Sequence, residues 1–151
     1  IFKESNPTLK KGDNLLPTYP DSRAVAAGDL NQDGKIDLIL AASAESTLNV
    51  NNILINNESS PGTFERRQLR ITTGNDCSSV SKDTDSASWN TLAVAIGDLD
   101  GDGKNDIYFG IDGKKDKILI NKTTQKNNPC FKVREVDNAS YKTRGVVIGE
   151  F

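Results

Sequence analysis

An all-β fold made of repeated four-stranded antiparallel blades, stacked as in a propeller, is what this 151-residue sequence predicts. Two observations carry that prediction. An acid-rich window recurs together with its flanks, and fixed-period self-similarity marks repeat architectures. The flanks are runs of four to eight residues rich in Val, Ile and Leu and bounded by Gly, Asn, Asp and Pro, which is strand rather than helix chemistry. No stretch is long and periodic enough to make a good helix.

Taken in order, Asp29-Leu30-Asn31-Gln32-Asp33-Gly34-Lys35-Ile36-Asp37 returns sixty-nine positions later as Asp98-Leu99-Asp100-Gly101-Asp102-Gly103-Lys104-Asn105-Asp106. Upstream, Ala24-Val25-Ala26-Ala27-Gly28 matches Ala93-Val94-Ala95-Ile96-Gly97. Downstream, Leu38-Ile39-Leu40-Ala41 matches Ile107-Tyr108-Phe109-Gly110, and Ile53-Leu54-Ile55-Asn56-Asn57 matches Ile118-Leu119-Ile120-Asn121-Lys122. Each copy then carries a Pro and a Phe, Pro61 with Phe64 and Pro129 with Phe131. One domain is therefore expected over 1–151, with whole blades at 24–92 and 93–144. The end of a preceding blade is expected at 1–23 and the start of a next one at 145–151. The connection at 71–90 is longer than its counterpart at 136–144. Two blades and two partial ones cannot close a ring of about 4–8 blades. The remaining blades are expected from another copy, another chain or the rest of a longer polypeptide.

Composition narrows the function classes. A formal charge of −2 argues against nucleic acid, which asks for a basic excess on one face. Seven Asp fall in the two windows, so the remaining surface is mildly basic. No apolar run reaches the roughly 18–20 residues of a membrane helix, so no membrane insertion is expected. The chain has no His and two Cys, which excludes zinc fingers and histidine-dependent catalysis. Met is absent too, so a mature or excised piece of a longer product is expected.

Chemistry concentrates in the windows. Side-chain oxygens at positions 1, 3, 5 and 9, a Gly at 6 and a backbone carbonyl at 7 can wrap a hard cation, because alternate residues of a tight loop point inward. In the first window these are Asp29, Asn31, Asp33, the carbonyl of Lys35, and Asp37. In the second they are Asp98, Asp100, Asp102, the carbonyl of Lys104, and Asp106. Six or more oxygens at about 2.3–2.6 Å suit Ca²⁺ better than Mg²⁺, so two Ca²⁺ sites are expected. With four carboxylates against three, the second should bind more tightly. An EF-hand needs a bidentate Glu at position 12, where this chain has Leu40 and Phe109. Dockerin-like loops want a helix afterwards, whereas strand sequence follows here. The remaining alternative is an Asp-Gly turn without metal, in which the converging carboxylates would repel one another.

Gly28-Asp29-Leu30-Asn31-Gln32-Asp33-Gly34-Lys35-Ile36-Asp37-Leu38 resembles the calcium-binding repeat of FG-GAP/VCBS-type β-propellers, the class that includes the integrin α-subunit head. The resemblance covers nearly the whole chain. It implies a propeller blade with calcium held in the turn between its first two strands. The Phe-Gly and Gly-Ala-Pro elements that name the family are missing, with Leu40-Ala41-Ala42 and Phe109-Gly110-Ile111 where the second should fall. The sequence is thus more similar to the VCBS-like variety.

If the acidic turn joins strands one and two, the turn joining strands three and four lies at the same end. That puts 57–62 and 122–129 beside the metals and 43–50, 72–90, 111–116 and 137–142 on the far face. Partner recognition, of a protein or a glycan, is expected on that far face, where long connections vary; Trp89 and Tyr141 are its aromatic candidates, each also readable as rim packing. Sequons at Asn57, Asn121 and Asn138 are candidate glycan acceptors. Cys77 and Cys130 are compatible with one disulfide in an oxidising compartment. A strand of about six residues would hold them roughly 20 Å apart, so only a long loop folded down the blade's outer side could bring their Cα atoms within about 7 Å. The expected function is a non-catalytic, secreted or cell-surface calcium-binding module for adhesion, recognition or assembly. The alternative is part of a secreted polysaccharide-active enzyme on a calcium-stabilised propeller. The acids at hand are already used as ligands, which leaves no carboxylate pair for catalysis.

Overall fold

In a computed structural model, residues 22–42, 51–56, 59, 63–82, 89–126, 128–137 and 139–149 are described. They form strands and turns with no helix. The first sheet is an antiparallel meander of β1 (Ser22–Gly28), β2 (Asp37–Ala42), β3 (Asn52–Asn56) and β4 (Phe64–Gln68). The second contains the matching meander of β7 (Thr91–Gly97), β8 (Asp106–Lys114), β9 (Lys117–Asn121) and β10 (Phe131–Glu135).

Registers repeat along with the sequence. Gly28 faces Asp37 as Gly97 faces Asp106, and Asn56 faces Phe64 as Asn121 faces Phe131. Even the irregularity repeats: β1 slips between Ser22 and Ala24, and β7 slips at the corresponding Thr91 and Ala93. Such slips twist a strand locally and are kept where its direction matters.

Side-chain alternation, with its period of two, decides which face each sheet buries. The first sheet turns Ile39, Ala41, Ile53 and Ile55 inward; the second answers with Ile107, Phe109, Ile111 and Leu119, and together they form one core with Leu30, Val94 and Trp89. Opposite faces of the two meanders therefore meet, as in face-to-face stacking of like units. Glycine permits the close approach. A Cβ on Gly28 would lie 2.6 Å from Ile96 Cγ2, and one on Gly97 would lie 2.6 Å from Ile148 Cγ2. Ile148 thus covers the second unit as Ile96 covers the first, although 143–149 makes no strand ladder.

The second sheet departs from four antiparallel strands. A hairpin of β5 (Arg70–Thr72) and β6 (Val80–Lys82) adds to the outer edge of β10, with β5 parallel to it through Ile71 and Phe131. β11 (Tyr141–Lys142) adds to the far end of β8. Residues 70–82, assigned by the repeat to the first unit, thus belong to the sheet of the second. The expected far-face position of 72–90 is also corrected for 72–82, while 83–88 lie outside the described residues. Arg70 Nη1 donates to the Asn128 carbonyl at 3.0 Å, Lys132 Nζ donates to Asn75 Oδ1 at 3.2 Å, and Cys77 Sγ lies 3.1 Å from the Lys122 carbonyl. All three contacts are to the β9–β10 connection or its flank, so the hairpin lies down the outer side. Cys77 and Cys130 are consequently bonded, with Cα atoms 5.9 Å apart. The expected positions at 1–21 and 43–50 lie outside the described residues.

Candidate metal centre

Each acidic window spans the eight-residue connection of a β-hairpin, β1–β2 or β7–β8, and the first residue of the following strand, and its side chains first satisfy its own backbone. Asp29 accepts from Gly34 N at 2.8 Å and from Asp33 N at 3.2 Å; Asp33 Oδ1 accepts from Lys35 N at 2.8 Å. In the second loop Asp98 accepts from Gly101 N and Gly103 N, both at 2.8 Å, and Asp102 Oδ1 accepts from Lys104 N at 3.0 Å. These are the side-chain-to-backbone bonds by which Asp and Asn compete with regular structure. The Gly at position 6 has positive φ in both loops, Gly34 at 83° and Gly103 at 81°. Position 4 does so as well, Gly101 at 75° and Gln32 at 62°.

The last acid of each loop is a different kind of group. Asp37 and Asp106 are fully buried, and each carboxylate bonds on both oxygens. Asp37 accepts from Leu30 N and Asn56 N at 3.0 and 2.9 Å; Asp106 accepts from Leu99 N and Asn121 N at 2.9 and 2.8 Å. Burial raises both carboxyls above the usual range, the neighbouring loop acids push the same way, and the backbone N–H groups pull against them. Asp37 thus ties the end of β3, and Asp106 the end of β9, to its hairpin, and Lys122 lies 3.4 Å from Asp100.

Of the expected ligands, Asp98, Asp100 and Asp106 each bring a carboxylate oxygen within 4.8 Å of the other two. That hard-oxygen trio fits a divalent cation of calcium's preferences. The corresponding trio in the first loop is Asp29, Asn31 and Asp37. Asp102 stands outside the converging group. Its Oδ2 faces Lys104 Nζ at 3.6 Å and Lys122 Nζ at 3.9 Å, and Lys122 also lies 3.4 Å from Asp100. The fourth carboxylate, from which tighter binding was expected, therefore comes with a cation that offsets it. Lys35 and Lys104 sit half-buried at position 7.

Two residues essential to this geometry were not among the expected ligands. Asn121 is fully buried; its Nδ2 donates to the carbonyls of Leu30 at 2.9 Å and Asn105 at 2.8 Å. Asn105 Nδ2 donates to the Asp29 carbonyl at 2.9 Å. Asn121, a candidate glycan acceptor by its sequon, is not available as one here, since the nitrogen a glycan would occupy is committed inside the protein. Its signal was the match of Asn56 to Asn121 at one repeat position, and Asn56 Nδ2 indeed donates to the Ile36 carbonyl. Asn57 and Asn138 lie outside the described residues. Trp89 packs 5.9 Å from Phe109 within the core, whereas Tyr141 is 53% exposed.

At the other end of the second unit, buried Asp116 accepts from Ile111 N at 2.8 Å, Tyr108 Oη at 3.0 Å and Thr143 Oγ1 at 2.6 Å. Burial, and then the adjoining Asp116, push the Tyr108 hydroxyl up to about 12.

An all-β chain of two stacked meanders, each opening on an Asp-rich hairpin whose last acid is buried, defines a class of repeat protein. The family model of the FG-GAP-like repeat matches residues 29–109, from the first acid of one hairpin into the second strand of the next unit. The chain belongs to the FG-GAP-like repeat family. Neither a curated protein nor a solved structure shows significant similarity to it.

Proposed function

We propose that this chain is a non-catalytic, extracellular calcium-binding segment of a β-propeller, in which Ca²⁺ at each acidic hairpin rigidifies a blade used for adhesion, recognition or assembly. The observation that carries this reading is the convergence of Asp98, Asp100 and Asp106 oxygens within 4.8 Å, at a loop that the sequence repeats. Three carboxylates so close repel unless a counter-ion joins them, and Lys122 supplies one positive charge against several negative ones. Calcium at extracellular, millimolar levels fills even weak sites of this kind. The Cys77–Cys130 bond fits an oxidising compartment. Support for a non-catalytic role comes from Asp116, which accepts hydrogen bonds on both oxygens, and from Asp37 and Asp106, which are committed to their hairpins and the cations proposed there.

The far end offers an open cleft of about 430 Å³ lined by Trp89, Lys114, Lys115, Lys117, Glu135 and Ser140, suited to a protein or glycan partner. Further blades from the same or another chain would complete the ring. Titration with calcium tests the reading. Thermal midpoint should rise by several degrees at millimolar Ca²⁺, much less at equal Mg²⁺, and the rise should be halved or more by Asp98→Asn with Asp106→Asn. A midpoint indifferent to calcium would remove the proposal's foundation.

A further inference from the structure

The two hairpins are joined to each other. Leu30 N donates to Asp37 Oδ2 at 3.0 Å, Asn121 Nδ2 donates to the Leu30 carbonyl at 2.9 Å, and Asn121 N donates to Asp106 Oδ1 at 2.8 Å. An unbroken line of hydrogen bonds thus connects the two buried carboxylates across the boundary between units. A second tie runs beside it: Asn105, at position 8 of the second hairpin, gives its Nδ2 to the Asp29 carbonyl at 2.9 Å and its own carbonyl to Asn121 Nδ2 at 2.8 Å. Asn121 is fully buried and Leu30 is at 0% exposure, so water cannot easily substitute for these partners.

We infer that the two hairpins take up their cations as one coupled pair with positive cooperativity, and that Asn105 and Asn121 are the positioning residues that carry the coupling. The inference rests on the reading of the hairpins as calcium sites. Asp106, which would help hold a cation at the second hairpin, accepts from Asn121 N; the Asn121 amide donates to the Leu30 carbonyl, and Leu30 N–H is bonded to Asp37, the last acid of the first hairpin. Whichever hairpin fills first bears the ordering cost of the shared segment, and the other binds to a loop already arranged. Linkage makes the effect equal in both directions.

Calcium calorimetry on six proteins tests this: the intact sequence, Asp98→Asn with Asp100→Asn to disable the second hairpin, Asp29→Asn with Asp33→Asn to disable the first, and each of these three carrying Asn105→Ile. Ile is what the first repeat has at that position, Ile36; Asn105→Ala serves as a second version should Ile disturb the fold. Disabling one hairpin should weaken the other about tenfold, and comparison with Asn105→Ile alone should show that ratio shrinking to a few-fold. A merely structural Asn105 would weaken both hairpins alike and leave the ratio unchanged, which overturns its assigned role. Two independent affinities in the intact protein overturn the coupling while leaving the calcium reading standing. Absence of any calcium heat, by contrast, overturns the calcium reading itself and the coupling with it.

Discussion

Leu30 and Leu99 occupy the same position of two nearly identical loops, yet one is at 0% exposure and the other at 38%. Asn31 and Asp100 differ likewise, the first buried and the second open. Nothing within the hairpins accounts for this, because the turns share their positive-φ positions and the capping of each acid by backbone N–H groups. The difference comes from the neighbour. The second unit lays Asn105 and Asn121 over the back of the first hairpin, while the corresponding carbonyls of Asp98 and Leu99 receive no such side chain among the described residues. Burial in a stacked repeat is thus conferred by the next unit, a nearest-neighbour property of such arrays.

The outer edges differ as well, and this contrast should break most visibly. β10 is covered by the β5–β6 hairpin, which one bridge and the Cys77–Cys130 bond hold in place. The bond spans 53 positions, so loop-closure entropy puts its contribution at about 4 kcal/mol. Cys77→Ser with Cys130→Ser should lower unfolding stability by that order in denaturant titration. A loss below about 1 kcal/mol would mean that the single bridge and the Arg70 and Lys132 contacts suffice.

Next in size is the interface glycine. Alanine at Gly28 would drive its Cβ into Ile96, which the β7–β8 ladder fixes, and overpacking of this kind costs about 2 kcal/mol. Gly97→Ala meets Ile148 at the same 2.6 Å, but Ile148 sits in a segment without ladder hydrogen bonds that can give way, so a loss under about 1 kcal/mol is expected. Equal losses by thermal denaturation would show that 143–149 is held as firmly as a strand.

How far the sequence disclosed this molecule depends on range. Strands and the two hairpins were legible because period-two alternation and Asp-Gly turns are local signals, and the repeat reported each one twice. Pairing of β5 with β10 was not, since a parallel partner from the other unit leaves no trace in either strand; only the even Cys count hinted at it. Asn121 was misread because Asn-Lys-Thr has the form of an acceptor triplet, whereas its burial depends on Leu30, ninety-one positions away. Lys122 escaped notice for the same reason, being a cation brought to Asp100 by the β9–β10 turn.

The smallest effect concerns position 4 of the loops, where Gln32 adopts φ 62° and its counterpart Gly101 adopts φ 75°. Left-handed backbone costs an L-residue roughly 1–2 kcal/mol, of which glycine's greater freedom in the unfolded chain returns somewhat less than 1. Gln32→Gly should therefore stabilise by about 0.5 kcal/mol, and Gly101→Gln should destabilise by about as much. A Cβ at Gly101 meets nothing within 4 Å, so the backbone alone sets that cost. Carrying both substitutions, the protein should unfold within a few tenths of a kcal/mol of the original if the two turns are equivalent in backbone energy. A net loss would mean that the second unit, by clamping the carbonyls of Asp29 and Leu30, already holds the first turn in its left-handed form, so that glycine gains less there than it forfeits in the open turn.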